Sequence, residues 1–447
     1  MKWLVAVGWF LTFPALAAAQ GEVASTADVL TLEQAVTMAL QQNRDVQTAA
    51  LEVGKTEVLR RANQTSRLAS LQVGVTEAYN LTPFDLTFKT GDLGTIPGVG
   101  PVPSQDTTIR DSPAFHTLGL AKAAQPLSQQ YRIGLQLDQA AVQERLAGTN
   151  LQLTRQTTVA GVKEAYYQVL MAQTALEAAE EYAQALCELE RVVTEQVQRE
   201  AALRADLLDV QSRLASAEAN VLSARNNLAT AKERLNLLLG RSLDTDYRVS
   251  PVPAMPAPEP KREEARSRAL SRRPEVARAR LNLQSAATDV KLKQAEYIPD
   301  LNLVVSYVEQ LTNRVLPQNI AYAGVELKWE FFDWGRKRQE MAAKIKAVAQ
   351  ADQALRQAQD QVALDINSQL RQLHQAQAQF RAAEIGQKAA RERMRVVQNR
   401  YATQAALLKD VVQAQADLAN ANNSYAQALL GTWTARSEVD RALGEIQ

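Results

Sequence analysis

Apolar positions along this chain follow two periods, and the switching between them sets its plan. Over long stretches the step is helical. Val162, Tyr166, Val169, Gln173 and Leu176 are spaced 4, 3, 4 and 3, and the same spacing returns 204 positions later at Ile366, Leu370, Leu373, Gln377 and Phe380. The stretch that follows keeps the register: Leu207, Leu214, Val221, Leu228 and Leu235 answer to Val411, Leu418, Tyr425, Thr432 and Val439, and Gly240 answers to Gly444. Three positions after each member of the first line lie Val210, Ala217, Ala224, Ala231 and Leu238, so the heptad seam is bulky on one line and mostly Ala on the other. The second copy keeps the small line at Ala414, Ala421, Ala428, Ala435 and Ala442. Each copy therefore predicts a helical hairpin, about 129–240 and about 336–444, and an arm of some 70 residues would be roughly 105 Å long. No single globular core is that wide.

Ahead of each hairpin the chain repeats itself at a different offset, 230. Glu33, Ala35, Ala39, Leu40, Asp45, Val46 and Ala49 answer to Glu263, Ala265, Ala269, Leu270, Glu275, Val276 and Ala279. Thr31 and Gln34 form a capping-box pattern, which predicts one helix from about 32 to 67. Then the period drops to two. Leu71, Val73 and Val75 alternate with Gln72, Gly74 and Thr76, and Leu301, Leu303, Val305 and Tyr307 alternate with Asn302, Val304, Ser306 and Val308, predicting strands at about 70–80 and 299–309 with one apolar face each. Partner strands follow at about 115–125 and 320–332. In the later one Ala321, Ala323, Val325, Leu327, Trp329 and Phe331 share a face; in the earlier one Leu118 and Leu120 mark the apolar register, with Lys122 falling on it. The offset changes between these strands, which places the first half's extra residues in a long loop at about 81–113, crowded with Gly, Pro, Asp and Thr.

The chain thus divides into a first repeat at 20–250, a Pro-rich extended linker at 251–260 and a second repeat at 261–447. Residues 1–19, with Lys2, an apolar run from Trp3 to Leu16 and the triplet Ala17-Ala18-Ala19, read as a cleaved secretory signal; the run is short for a spanning anchor. An exported chain whose later sequence has no stretch suited to a membrane helix would cross a membrane only with strands. Four strands cannot close a barrel, so a membrane reading requires several chains, while a small soluble sheet with one buried face is the other reading of the same alternation. Trp329, Phe331, Phe332 and Trp334 fit a membrane interface or, equally, a local core under a strand-to-helix turn.

Composition narrows the function. Aromatics are 5% and net charge is +1, so no bulk field attracts nucleic acid. The lone thiol, Cys187, is expected in a helical seam. His116 and His374 stand apart, and no phosphate loop, metal-ligand cluster or nucleophile motif accompanies them, so no catalytic, cofactor or metal site is predicted. A soluble coiled-coil scaffold or an adaptor protein with a helical hairpin remain as alternatives to a membrane-crossing assembly.

The twofold order of helix, strand, loop, strand and hairpin, with Leu32-Glu33-Gln34-Ala35, Ala224-Arg225-Asn226-Asn227-Leu228 and Phe332-Asp333-Trp334-Gly335-Arg336, resembles the TolC-like outer-membrane efflux proteins over essentially the whole mature chain. The resemblance implies a mainly α fold with a small β part, a homotrimer whose twelve strands form an outer-membrane barrel continuous with a periplasmic helical barrel, and a passive exit duct rather than an enzyme. It implies docking to a periplasmic adaptor, or membrane fusion protein, and an inner-membrane pump. It also implies a periplasmic gate at Asp206, Tyr401, Asp410 and Gln413, where the family pattern has a second Asp at the position of Gln413 and a basic residue at that of Ala406. For Asp206 and Asp410 a plain helix-start carboxylate is the alternative. Adaptor contact is implied at the hairpin tips, Ala201, Ala202, Leu203 and Arg204 and Ala405, Ala406 and Leu407; the family's Gly at the turn is absent from both.

Overall fold

The computed structural model describes residues 29–79, 81, 84–111, 115–200, 203–253, 261–310, 318–403 and 405–445. The expected signal, Ala201, Ala202 and most of the Pro-rich linker lie outside them. The described residues begin with β1 (Val29–Leu30), α1 (Leu32–Gln42) and α2 (Arg44–Gln64), followed by a 3-10 turn and β2 (Ser70–Tyr79). The excursion holds β3 (Phe84–Phe88), β4 (Thr95–Ile96), β5 (Gly100–Pro101) and β6 (Thr107–Asp111), then β7 (Phe115–Pro126). The first hairpin is α3 (Gln130–Gln198) and α4 (Arg204–Leu239); β8 (Arg248–Val249), α5 (Arg262–Arg272), α6 (Pro274–Ala295), β9 (Asp300–Gln310), β10 (Asn319–Lys328), α7 (Arg336–Ala402) and α8 (Leu408–Leu443) follow among the described residues.

The Thr31 cap forms in both directions: the Gln34 amide donates to Thr31 Oγ1 at 3.2 Å and the Thr31 amide to Gln34 Oε1 at 2.9 Å. The expected single helix from 32 to 67 is nevertheless two. Asn43 adopts extended backbone, its carboxamide oxygen accepts from the Asp45 and Val46 amides, and α2 starts afresh there. At the equivalent place in the second half Arg273 has almost the same backbone angles, and Pro274 opens α6. A residue before proline is pushed out of the helical region, so this break is enforced by the chain itself.

Four antiparallel strands form one sheet in the order β10, β9, β7, β2. Registers across the sheet put Leu71, Val73, Ala121, Ala123, Leu303, Val305, Tyr307, Ala323, Val325 and Leu327 on one face. That face is open: Val73 is 84% exposed, Val325 63% and Val305 52%, while Val304 and Ser306 on the other are buried. The expected register of β7 is inverted. Leu118 and Leu120 lie on the inner face with Lys122, and the small Gly119, Ala121 and Ala123 lie among the bulky residues of the apolar face. Small residues carry little hydrophobic signal, so the larger leucines suggested the wrong parity.

Three further expectations change. β10 ends at Lys328, so Trp329 and Phe331 belong to the elbow before α7 rather than to the strand. The stretch 81–113 is not featureless: β3 pairs with β6 and β4 with β5 in antiparallel ladders. Cys187 is exposed, one position off the seam that buries Leu186.

The main apolar core sits at mid-height, where α1, α3, α4, β1 and β8 meet around Val162, Tyr166, Tyr167, Val169, Leu235 and Leu239. The Tyr166 hydroxyl reaches the carbonyls of Leu30 at 3.0 Å and Ser250 at 2.7 Å, tying the small parallel β1–β8 pair to the hairpin. The second half has smaller clusters around Ile366, Leu370, Leu373 and Val439 and around Ala269, Val276 and Val362. Both heptad lines of the seam are used, with Val210, Ala217, Leu235, Ala414, Val439 and Ala442 buried.

Candidate functional site

The repeat is three-dimensional as well as linear, and its two offsets meet in one contact. Gly240 ends α4 in the left-handed region, at φ 74°, and a Cβ there would lie 2.3 Å from the Gln42 carbonyl oxygen. Gly444 ends α8 at φ 79°, and a Cβ there would lie 3.1 Å from the Arg272 backbone. Only glycine adopts this conformation without a Cβ penalty. Both hairpins therefore return against the break in the preceding helix.

At the first break the Asn43 carboxamide nitrogen donates to the Leu238 carbonyl at 2.9 Å. At the second, the Arg273 guanidinium, only 7% exposed as a side chain, holds Glu275 and Asp365 at 2.6 Å each. Burial works against ionisation of both carboxylates, but hydrogen bonds from Arg273, with the charges of Arg273 and Arg441, outweigh it and hold both below the usual carboxylate range. Nearby, Asp440 is raised mainly by burial despite Arg436 and Lys163, and Lys163 on α3 is lowered, again mainly by burial.

At the sheet, the inner face brings together two repeat-equivalent positions of opposite charge. Lys122 Nζ lies 3.0 Å from Glu326 Oε2 across β9, and Lys328 Nζ lies 2.7 Å from Glu326 Oε1. Below them Arg132, in the first turn of α3, holds Asp300 at 3.0 Å. The strand pattern did not single out Glu326; the 204-residue offset that aligns it with Lys122 was the available signal.

The elbow after β10 is held by local hydrogen bonds. Asp333 accepts from the Gly335 amide at 3.0 Å and the Lys337 amide at 2.9 Å, and Trp334 is left-handed at φ 56° beside Gly335. Trp329, Phe331, Phe332 and Trp334 are all exposed, Trp334 to 91%, so within one chain they form no buried core. The Phe332 and Trp334 rings stack edge to face with centroids 4.8 Å apart.

At the hairpin tips Asp206 and Asp410 do the same local work. Each is the third residue of its helix, and each carboxylate accepts from the backbone amide of the preceding cap, Leu203 at 3.3 Å and Leu407 at 3.2 Å. Gln413 donates to Asp417 at 2.8 Å, and Tyr401 sits half-buried in the last turn of α7. Within one chain the hydrogen bonds of Asp206, Asp410 and Gln413 stay inside their own hairpins. Leu203, Arg204, Ala405 and Leu407 are exposed, and Ala406 is half-buried. Among the described residues no group of His, Cys, Asp and Glu could hold a metal ion, and no helix is long and apolar enough to cross a membrane.

Comparison with known proteins gives a consistent result. A family profile described as outer membrane efflux protein matches residues 35–241 and 265–445, one segment in each repeat. The alkaline protease secretion protein AprF of Pseudomonas aeruginosa is 25% identical over 287 residues, which span 61% of this chain and 58% of that protein. Among solved structures, CusC superimposes with a TM-score of 0.74 at 16% identity, covering 97% of this chain and 98% of that one. The CmeC outer membrane channel of Campylobacter jejuni gives a TM-score of 0.74 at 14% identity, covering 97% and 93%. At these identities the structures establish the fold.

Proposed function

Given that the chain belongs to the outer membrane efflux protein family, we propose that it is the outer-membrane exit duct of a tripartite efflux or secretion system, a passive conduit and not an enzyme. The observation that supports this reading is the sheet: one face is apolar and open to its surroundings, and among the described residues both edge strands, β10 and β2, have no partner on one side. In lipid such edges would leave backbone groups unpaired at a cost of several kcal/mol each, so the sheet must close with others. Three chains supply twelve strands, and the six hairpins continue below them as a helical barrel in the periplasm. A soluble coiled coil or an adaptor would have no use for this sheet.

On this reading residues 1–19 are removed on export, the ladders of 81–113 project outside the cell, and Trp329, Phe331, Phe332 and Trp334 sit at the periplasmic membrane interface. The tips, Ala201 to Arg204 and Ala405 to Leu407, meet a periplasmic adaptor that links the duct to an inner-membrane pump. Asp206, Tyr401, Asp410 and Gln413 surround the closed periplasmic end. Gln413 and Ala406 carry no charge, so closure rests on fewer ionic links than the family pattern provides.

The test is conductance of the purified mature protein in planar bilayers. Discrete single-channel steps from a heat-resistant oligomer in outer-membrane fractions are expected. A soluble, monomeric product would overturn the reading.

A further inference from the structure

The inner face of the sheet has a charge pattern that a bare conduit does not require. Toward the far end its positions hold Leu118, Leu120, Val308 and Ile320; toward the helices they hold Lys122, Asp300, Glu326 and Lys328. Both acids are already engaged, Glu326 by two lysines and Asp300 by Arg132. Lys328 keeps 71% of its side-chain surface open to solvent. Here a cavity of about 710 Å³ opens on the inner face, lined by Lys122, Glu326 and Lys328 with hydroxyl and amide groups from Ser70, Gln72 and Asn302. Two lysines against one carboxylate leave its lining at a net charge of +1.

We propose that this foot of the barrel is a transient binding station for anionic solutes, those bearing carboxylate or phosphate groups, with Lys328 and Lys122 as the contacting cations. The inference rests on the duct reading, because only there does the inner face line a passage and recur in each chain. Glu326 spaces the two lysines and tempers the site, so an anion exchanges its partners with water rather than staying bound. Screening confines its reach to about 10 Å at 0.1 M salt, which makes it a contact site rather than a steering field. Weak, multiple contacts of this kind are what a conducting pathway tolerates.

Reversal potentials of the full mature protein in planar bilayers under a potassium chloride gradient test it. The unaltered channel is expected to favour chloride, Lys328→Gln and Lys122→Gln to shift the reversal potential toward potassium, and Glu326→Gln to shift it further toward chloride. Lys328 is exposed enough that its replacement should leave assembly intact even if Lys122→Gln does not fold. Conducting channels with the same reversal potential in Lys328→Gln as in the parent would overturn the station and leave the duct standing. Absence of any conductance would overturn both.

Discussion

The two helix breaks at mid-height, Asn43 in the first repeat and Arg273 in the second, share a backbone and little else. Their angles agree within a few degrees, φ −62° and ψ 131° against φ −66° and ψ 126°, and each is met by a left-handed glycine from the returning helix. Yet Asn43 acts through neutral hydrogen bonds to backbone, whereas Arg273 acts through a half-buried cluster of ion pairs. After duplication, the geometry that lets a hairpin pack against its own entry helix persists, and the side chains that hold it diverge. The cores diverge in parallel, with one broad cluster in the first half and two small ones in the second. The second half thus depends more on charge.

The glycines give the largest expected contrast. Gly240→Ala places a methyl group against the Gln42 backbone and should cost about 3 kcal/mol or more, from the left-handed penalty plus overpacking. Gly444→Ala meets a looser contact and should cost about 1–2 kcal/mol. Denaturant unfolding of the detergent-solubilised protein reads both, and equal losses would show that the two contacts are energetically alike. Next, Arg273→Met leaves Asp365 and Glu275 without their main partner and should cost about 2 kcal/mol, less than for a fully buried pair because both carboxylates keep some solvent. Asn43→Ala should cost about 1 kcal/mol, the usual loss for a helix cap.

The pH response should separate the halves in the same order. Asp365 and Glu275 are held below their ordinary range, so their stabilisation is present above the unfolded carboxylate pKa and is lost as pH falls through the folded values. Asp440 is raised, so its ionised form costs stability at neutral pH, and that cost is relieved on acidification. Amide protection factors in α5 and α6, taken relative to the intrinsic exchange rate at each pH, should fall between about pH 5 and pH 3, with α1 and α2 changing less. The smallest effect per residue belongs to the tips. Asp206→Ala with Asp410→Ala removes two cap hydrogen bonds, worth about 0.5–1 kcal/mol each. Higher conductance in that variant would assign the pair to closure; unchanged conductance would leave them as helix starts.

Much of the fold is written in the duplicated register. The seam lines, the Thr31 cap and the terminal glycines are short-range or strictly periodic features, and each has its counterpart in the structure. The break at Asn43 was hidden because asparagine alone does not stop a helix; the proline after Arg273, carried back by the 230-residue offset, was the available clue. Strand parity in β7 was hidden for a different reason. The inner face of the sheet carries leucines near one end and lysines near the other, so hydrophobicity does not separate the faces, and the Lys122–Glu326 pair appears only once the register is known. The tips were least legible, since their exposed residues leave no periodic trace in one chain.

Native mass measurement of the mature protein in detergent tests the central claim most directly, because an open four-stranded sheet with an apolar face implies partners of its own kind. A single species at three times the mass of one mature chain is the expected result. A stable monomer or dimer would contradict the shared barrel and, with it, the duct.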